Sequence, residues 1–285
     1  MVKQLIVNGD DFGRSREVNA GVIRAHRDGI LNSASLMIGE HARDEAIAYA
    51  RANPSLDLGL HLVVCMGTAV SPPASLPGLV DSQGRFSNKP IAAGMKYFFD
   101  GRITEKLRAE CRAQIEEHLK LAGPLSHVDG HLNFHVHPAV SDILLDLAVE
   151  YGVPFLRVPD EPLGTALRLA RDHLGRKIGE AAVFGLLSWR ARRRMQRRGI
   201  RSSDRLFGLY QTAHFTEAYL LALIPQLQDG VTELYFHPAL DVGESPPDAA
   251  CQLETQLLVS PSVAAALRAN NVQLTTYRDL AAARS

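Results

Sequence analysis

Two adjacent aspartates, Asp10 and Asp11, stand in the segment Gly9-Asp10-Asp11-Phe12-Gly13, directly after the apolar run Leu5-Ile6-Val7-Asn8. On a tight turn their side chains must diverge, which suits two tasks: one carboxylate to hold a cation, and its neighbour to act as a base whose pKa that cation depresses. The same pair would also serve simply to cap the next helix. The segment lacks the G-x-G-x-x-G spacing of a dinucleotide site, so that chemistry is excluded. His61 lies in the otherwise apolar Leu58-Gly59-Leu60-His61-Leu62, and alone it reads as a core residue. His127, Asp129, His131, His135 and His137 crowd into a single stretch of chain, a density that packing does not explain. Imidazoles combined with a carboxylate suit zinc and similar divalent ions. Not all four histidines can be ligands; others would fix ring orientation, and Asp129 is placed to accept a ligand histidine's N–H. His137, just before Pro138, reads as a surface residue.

Two further groups fit proton transfer and anion binding. His237 ends Leu234-Tyr235-Phe236-His237-Pro238. An unperturbed imidazole titrates at about 6.5, so His237 is a candidate general acid, with a structural turn residue as the alternative. Arg157 ends Pro154-Phe155-Leu156-Arg157 and either orients a carboxylate bidentately or forms a surface ion pair.

These residues fall where short apolar runs stop. Strand-like runs at residues 4–8, 33–38, 58–63, 128–129, 155–158, 232–236 and 273–275 alternate with helical patterns at 16–28, 42–52, 103–121, 138–151, 217–228 and 262–269. That rhythm predicts an α/β fold with a largely parallel sheet, either open or, preferably, closed as a TIM-like (β/α) barrel, whose sites assemble at the C-terminal strand ends. Two stretches interrupt it: a Pro/Gly-rich loop around Ser71–Pro90 and a basic helical insertion over residues 162–205. We expect one domain over residues 1–285, with the insertion as a lid within it.

The 285 residues carry 31 Lys plus Arg against 31 Asp plus Glu, so no global charge points to nucleic acid. Cys65, Cys111 and Cys251 are odd in number and far apart, which fits neither a disulfide framework nor a Cys-type zinc site. No apolar stretch reaches the roughly 20 residues that span a bilayer, and Met1 to Asn8 lacks a leader pattern, so a cytoplasmic protein is expected.

Taken together, the motifs at residues 7–13 (Val-Asn-Gly-Asp-Asp-Phe-Gly), Gly59-Leu60-His61-Leu62, His127-Val128-Asp129-Gly130-His131 with His135, and His237-Pro238-Ala239 resemble the YdjC/ChbG-like carbohydrate deacetylases. The stretch from Gly199 to Tyr210 looks like the branch associated with hopanoid biosynthesis (HpnK). The resemblance implies a distorted barrel and removal of acetate from N-acetylated sugars. It assigns one divalent metal to Asp11, His61 and His131, the base to Asp10 and the acid to His237. Zinc is favoured by two imidazoles and a carboxylate, with magnesium, cobalt and nickel as alternatives. Polysaccharide-acting relatives often carry a histidine at the position of Asn133. Asn133 is therefore expected to stay out of the metal shell, and Asp129, Asn133, His135 and Arg157 are expected either to bind substrate or to support the ligands from behind.

The insertion bears on the substrate. The apolar run Ala181 to Trp189 is followed at once by Arg190, Arg192, Arg193, Arg194, Arg197 and Arg198. Phe184, Leu187, Trp189, Arg193 and Arg194 are expected to contact an anionic membrane surface, which suits an N-acetylglucosaminyl hopanoid as substrate. A buried helix followed by a solvated one is the alternative. Two rival functions remain on the same residues: a metal-dependent phosphoesterase, and a non-catalytic sugar- or lipid-binding protein.

Overall fold

The computed structural model describes residues 2–283; Met1, Arg284 and Ser285 of the expected domain lie outside the described residues. In chain order the elements are β1 (Lys3–Phe12), α1 (Arg16–Asp28), β2 (Ser33–Leu36), α2 (Arg43–Ala52), β3 (Asp57–Leu62), α3 (Pro90–Phe99), α4 (Thr104–Leu121), β4 (Val128–Gly130) and α5 (Pro138–Glu150). Then follow α6 (Leu163–Leu169), α7 (Leu174–Gln196), β5 (Arg205–Phe207), α8 (Glu217–Leu223), β6 (Gly230–Phe236), α9 (Ala249–Leu258), α10 (Pro261–Ala269), β7 (Val272–Leu274) and α11 (Tyr277–Ala282).

Every strand pairing is parallel, in the order β4-β3-β2-β1-β6-β5. The ring closes through single bridges: Val128 to Leu156 and Phe155 to Arg201, just upstream of β5. The fold is thus the expected α/β distorted barrel. The strand expected over residues 155–158 is reduced to these bridges, because only Phe155 and Leu156 find partners.

β1 is the axis of the sheet and is buried from Leu5 to Phe12, as a parallel strand covered on both faces requires. Its edge opposite β6 is shared: β7 pairs with Lys3–Leu5, and β2 takes over at Asn8. Asn32 fills the fork, accepting from Val7 N and donating to the carbonyls of Thr275 and Leu5. The helices are set by local chemistry. Ser15 caps α1 by accepting from Val18 N, and α1 buries Val22, Ile23 and Ala25. Gly21 lets α1 lie directly on the chain after β6: a Cβ there would come within 2.5 Å of the Ala239 backbone. The turn that follows His237 is fixed by that contact.

Candidate active site

Asp10 and Asp11 are the penultimate pair of β1, not a turn after it. The sheet register slips between Gly9 and Phe12, and Asp11 adopts φ +63°, a left-handed conformation that costs a non-glycine residue of order 1 kcal/mol. This bulge sends the two carboxylates in different directions. Asp11 Oδ1 lies 3.2 Å from His61 Nε2 and 2.9 Å from His131 Nδ1, while its Oδ2 accepts from Arg14 at 2.7 Å. β3 places His61, and the turn after β4 places His131. Leu132 and Asn133 then follow with φ of 55° and 58°.

A divalent ion fits the trio Asp11, His61 and His131, whose ligand atoms all lie within 4.8 Å of one another. Asp11 Oδ1 and His61 Nε2 are buried and lack a hydrogen-bond partner, although they face each other. The surroundings are also short of positive charge. Burial opposes charge on His61, but Asp129 and Asp10, with hydrogen bonds to Asp11 and Asp129, outweigh it and raise the imidazole to about 10. For Asp11, burial is outweighed in turn by His131 and His61, and its pKa falls well below the usual carboxylate range. A cation would take over the role of that proton. A second group, Asp10, His61 and Asp129, fits less well because both of its carboxylates are already engaged.

Behind the trio runs a buried polar network. His61 Nδ1–H donates to Asp129 Oδ1 at 2.7 Å, fixing the ring so that Nε2 faces Asp11. Arg157 grips Asp10 with both terminal nitrogens at 2.6 and 2.8 Å, reaches Asp129 at 2.7 Å and donates from Nε to Glu233 at 2.7 Å. Its guanidinium also lies over the Tyr235 ring, 4.7 Å from the centroid. Asn8 donates to Asp10 Oδ1 and to Ser35 Oγ, and Ser35 donates to Asp129 Oδ2. His127 sits between the hydroxyls of Ser126 and Ser35 and stacks on Tyr277 at 4.1 Å; burial lowers it to about 3, so the ring is neutral.

Asp10, His61, His131, Leu132, Asn133, Tyr235 and His237 line one cleft of about 250 Å³. A larger concavity of about 760 Å³, between residues 66–88 and α3, holds none of these groups. His237 is held from behind by Glu254 on α9, whose buried carboxylate accepts from the His237 backbone N at 2.5 Å and from Ala213 N at 3.3 Å.

Of the residues expected to bind substrate or to support the ligands, Asp129, His135 and Arg157 are buried and do not line the cleft; they act on the site from behind. His135 donates from Nε2 to the Arg157 carbonyl at 3.1 Å. Arg157 is no surface pair, because the carboxylates it meets lie inside the barrel. Asn133 does line the cleft, with Oδ1 unpartnered. His137 is half-buried rather than free at the surface: its ring packs against Phe134 and Tyr97. Phe184 points into the cleft and Leu187 is half-buried, so the outward face of α7 carries Val183, Leu186 and Trp189 instead. The arginines are largely committed: Arg190 and Arg194 to Asp142, Arg198 to Asp146, and Arg193 over the Trp189 ring at 4.5 Å.

Glu233, Tyr235 and Glu254 were missed. Glu233 and Tyr235 share the inward face of β6 with His237 at period two, a signal legible by counting back from the histidine. Glu254 reaches the site from a helix, and no local pattern marks it.

The family model described as YdjC-like protein matches residues 4–269. The chain belongs to the YdjC-like family. A Geobacillus stearothermophilus protein named carbohydrate deacetylase is 30% identical over 284 residues, covering 98% of each chain. One of the same name from Thermoanaerobacter pseudethanolicus is 28% identical over 97% of this chain and 98% of its own. Another, from Brevibacillus brevis, is 39% identical over 151 residues, which is 53% of this chain and 58% of that one. Among solved structures, an Enterococcus faecalis V583 protein provisionally described as a cellobiose-phosphate cleavage protein superposes with a TM-score of 0.75 at 25% identity, covering 98% of this chain and 99% of that one.

Proposed function

We propose that this YdjC-like chain is a metal-dependent N-deacetylase that releases acetate from an acetylated amino sugar. The convergence of Asp11, His61 and His131 beside Asp10, in a cleft that also holds His237, carries the reading. The relatives named carbohydrate deacetylase support it over a phosphoesterase or a non-catalytic sugar- or lipid-binding protein. An ion held by the trio, zinc by preference, would polarise the acetamide carbonyl and acidify a water. Asp10, oriented by Arg157 and Asn8, accepts the proton of the attacking water. His237 gives a proton to the departing nitrogen, since an amide anion is too basic to leave.

The test is acetate release from N-acetylglucosaminyl substrates by metal-free and metal-reconstituted protein, beside Asp10→Ala and His237→Ala. Each variant should lose about 100-fold or more in kcat, the usual weight of a general acid or base. Sugar binding without acetate release under zinc, magnesium, cobalt or nickel would favour the binding-protein alternative, and phosphate release would favour the phosphoesterase.

The finer reading is a lipid-linked sugar, an N-acetylglucosaminyl hopanoid, met by a peripheral protein at the cytoplasmic membrane face. Leu186 and Trp189 on α7 are 65% and 54% exposed, and α3 adds Met95, Phe98 and Phe99. Both helices pack on α5, and Phe98 also meets the ring of His137 just before it. Among the described residues no helix is long and apolar enough to cross a membrane, so docking would be superficial. Leu186→Ser with Trp189→Ser should impair turnover of the lipid-linked sugar more than that of a water-soluble glycoside; equal losses would sink the lipid reading.

A further inference from the structure

Helix α7 turns part of its apolar surface outward and one ion pair inward. An ordinary surface helix turns its charges to water and its apolar stripe to the core. Here Leu174, Ile178, Val183, Leu186 and Trp189 are exposed, while Arg176, Glu180 and Phe184, spaced at four residues, face the barrel. Those three line the same cleft as Asp10, Asn133 and His237. Arg176 Nη1 donates to Glu180 Oε1 at 3.2 Å, and Nη2 donates to the Tyr210 carbonyl at 2.9 Å. Phe184 packs at the edge of the cluster that contains Leu209 and Tyr235, both cleft residues.

A solvated ion pair does not account for this arrangement, because water is better reached from the opposite face of the helix. A guanidinium and a carboxylate held side by side present a donor set and an acceptor set, which match neighbouring hydroxyls that each give and accept one hydrogen bond. An aromatic ring beside them offers an apolar face to the C–H surface of a pyranose. A few polar groups set among apolar walls is the usual composition of a site that orients a small ligand.

We infer that Arg176, Glu180 and Phe184 form the sugar-recognition wall of the cleft, holding the hydroxyls and one ring face of the pyranose whose acetamido group meets Asp10 and His237. This rests on the deacetylase reading for the chemistry, but binding tests it separately. The probes are the methyl glycoside of N-acetylglucosamine, followed by calorimetry, and 4-nitroacetanilide, an acetamide without sugar hydroxyls, followed by turnover.

Glu180→Ala and Phe184→Ala should each weaken glycoside binding by about tenfold or more, the usual effect of losing a hydrogen bond to a charged group or a packed ring. Glu180→Gln, which keeps an acceptor, should recover part of that loss, and each alanine variant should cost 4-nitroacetanilide turnover less than it costs glycoside binding. Phe184→Leu, with its melting temperature, reports on the fold, since leucine preserves the packing against Leu209 but not the aromatic face. Unchanged glycoside binding in both alanine variants, or no binding by the wild-type protein, overturns the wall. Wild-type binding that both variants lose, without acetate release from the metal-loaded protein, upholds the wall and overturns the deacetylase reading.

Discussion

At the scale of single residues, Arg157 decides the geometry of the site. It meets Asp10, Asp129 and Glu233 while itself almost wholly buried, and through Asp129 it is coupled to His61. Removing one partner from such a set leaves buried charge uncompensated, at a cost of about 3–5 kcal/mol. Arg157→Ala should therefore lower the denaturation midpoint sharply. Arg157→Lys keeps the charge but not the planar fork, so it should fold while losing about tenfold or more in kcat with little change in KM. Circular dichroism and steady-state kinetics check both, and a fully active Arg157→Lys would show that the fork does not matter. Residue type and crowding marked the aspartate pair and the histidines as candidates, the resemblance singled out Asp11, His61 and His131 among them, and Asp129 was legible as the partner of a ligand ring. What the sequence hid is the depth of the support: Asn8, Ser35 and Glu233 are ordinary strand residues until the barrel closes and sets Glu233 on the Arg157 guanidinium and Asn8 and Ser35 on the carboxylates it holds.

At the scale of elements, the cleft wall after β5 hangs on a buried carboxylate. Glu161 Oε2 accepts from Gly208 N at 3.1 Å and Tyr210 N at 3.0 Å. Burial raises its pKa to about 7, although those backbone donors pull the other way. A raised folded-state pKa means that its stabilising effect is complete below the ordinary carboxylate value of about 4.5 and is lost as pH climbs through about 7. The melting temperature of the wild type should accordingly fall relative to Glu161→Gln across that interval, and parallel curves would contradict it. Gly59 makes a second case. A Cβ there would meet the His127 ring at 2.4 Å, so Gly59→Ala should destabilise the junction of β3 and β4 by about 1–3 kcal/mol, measurable by urea unfolding. Periodicity located most of these elements to within a residue or two, including α1 and α4. It failed where helical phase mattered: the apolar run in the insertion suggested Phe184 and Leu187 as outward-facing, yet both turn inward and leave Val183, Leu186 and Trp189 outside. It also failed for α3, where a loop was expected up to Pro90 but nothing was assigned to the ten residues that follow.

At the scale of the whole molecule, the proposed ligands tie together β1, β3 and the turn after β4, elements far apart in sequence. A divalent ion that binds only the folded chain adds stability by mass action, about 2.7 kcal/mol at a hundred times its dissociation constant. The melting temperature should rise with added zinc, fall back with chelator, and be indifferent to zinc in His61→Ala. Differential scanning fluorimetry decides this, and a wild type blind to every divalent ion would remove the metal from the mechanism. The shared edge of β1 carries a further consequence, for the order in which the chain is made. β1 leaves the ribosome before the other strands described, but β6 and β7, which pair with it along Lys3–Gly9, come well over 200 residues later. Until then an apolar strand waits with one edge open, the kind of segment that attracts foreign pairing. The aspartates it carries gain their full setting only once β6 and β7 have been made, so a chain that stops before them has its ligands in the right order and no barrel to bring them together.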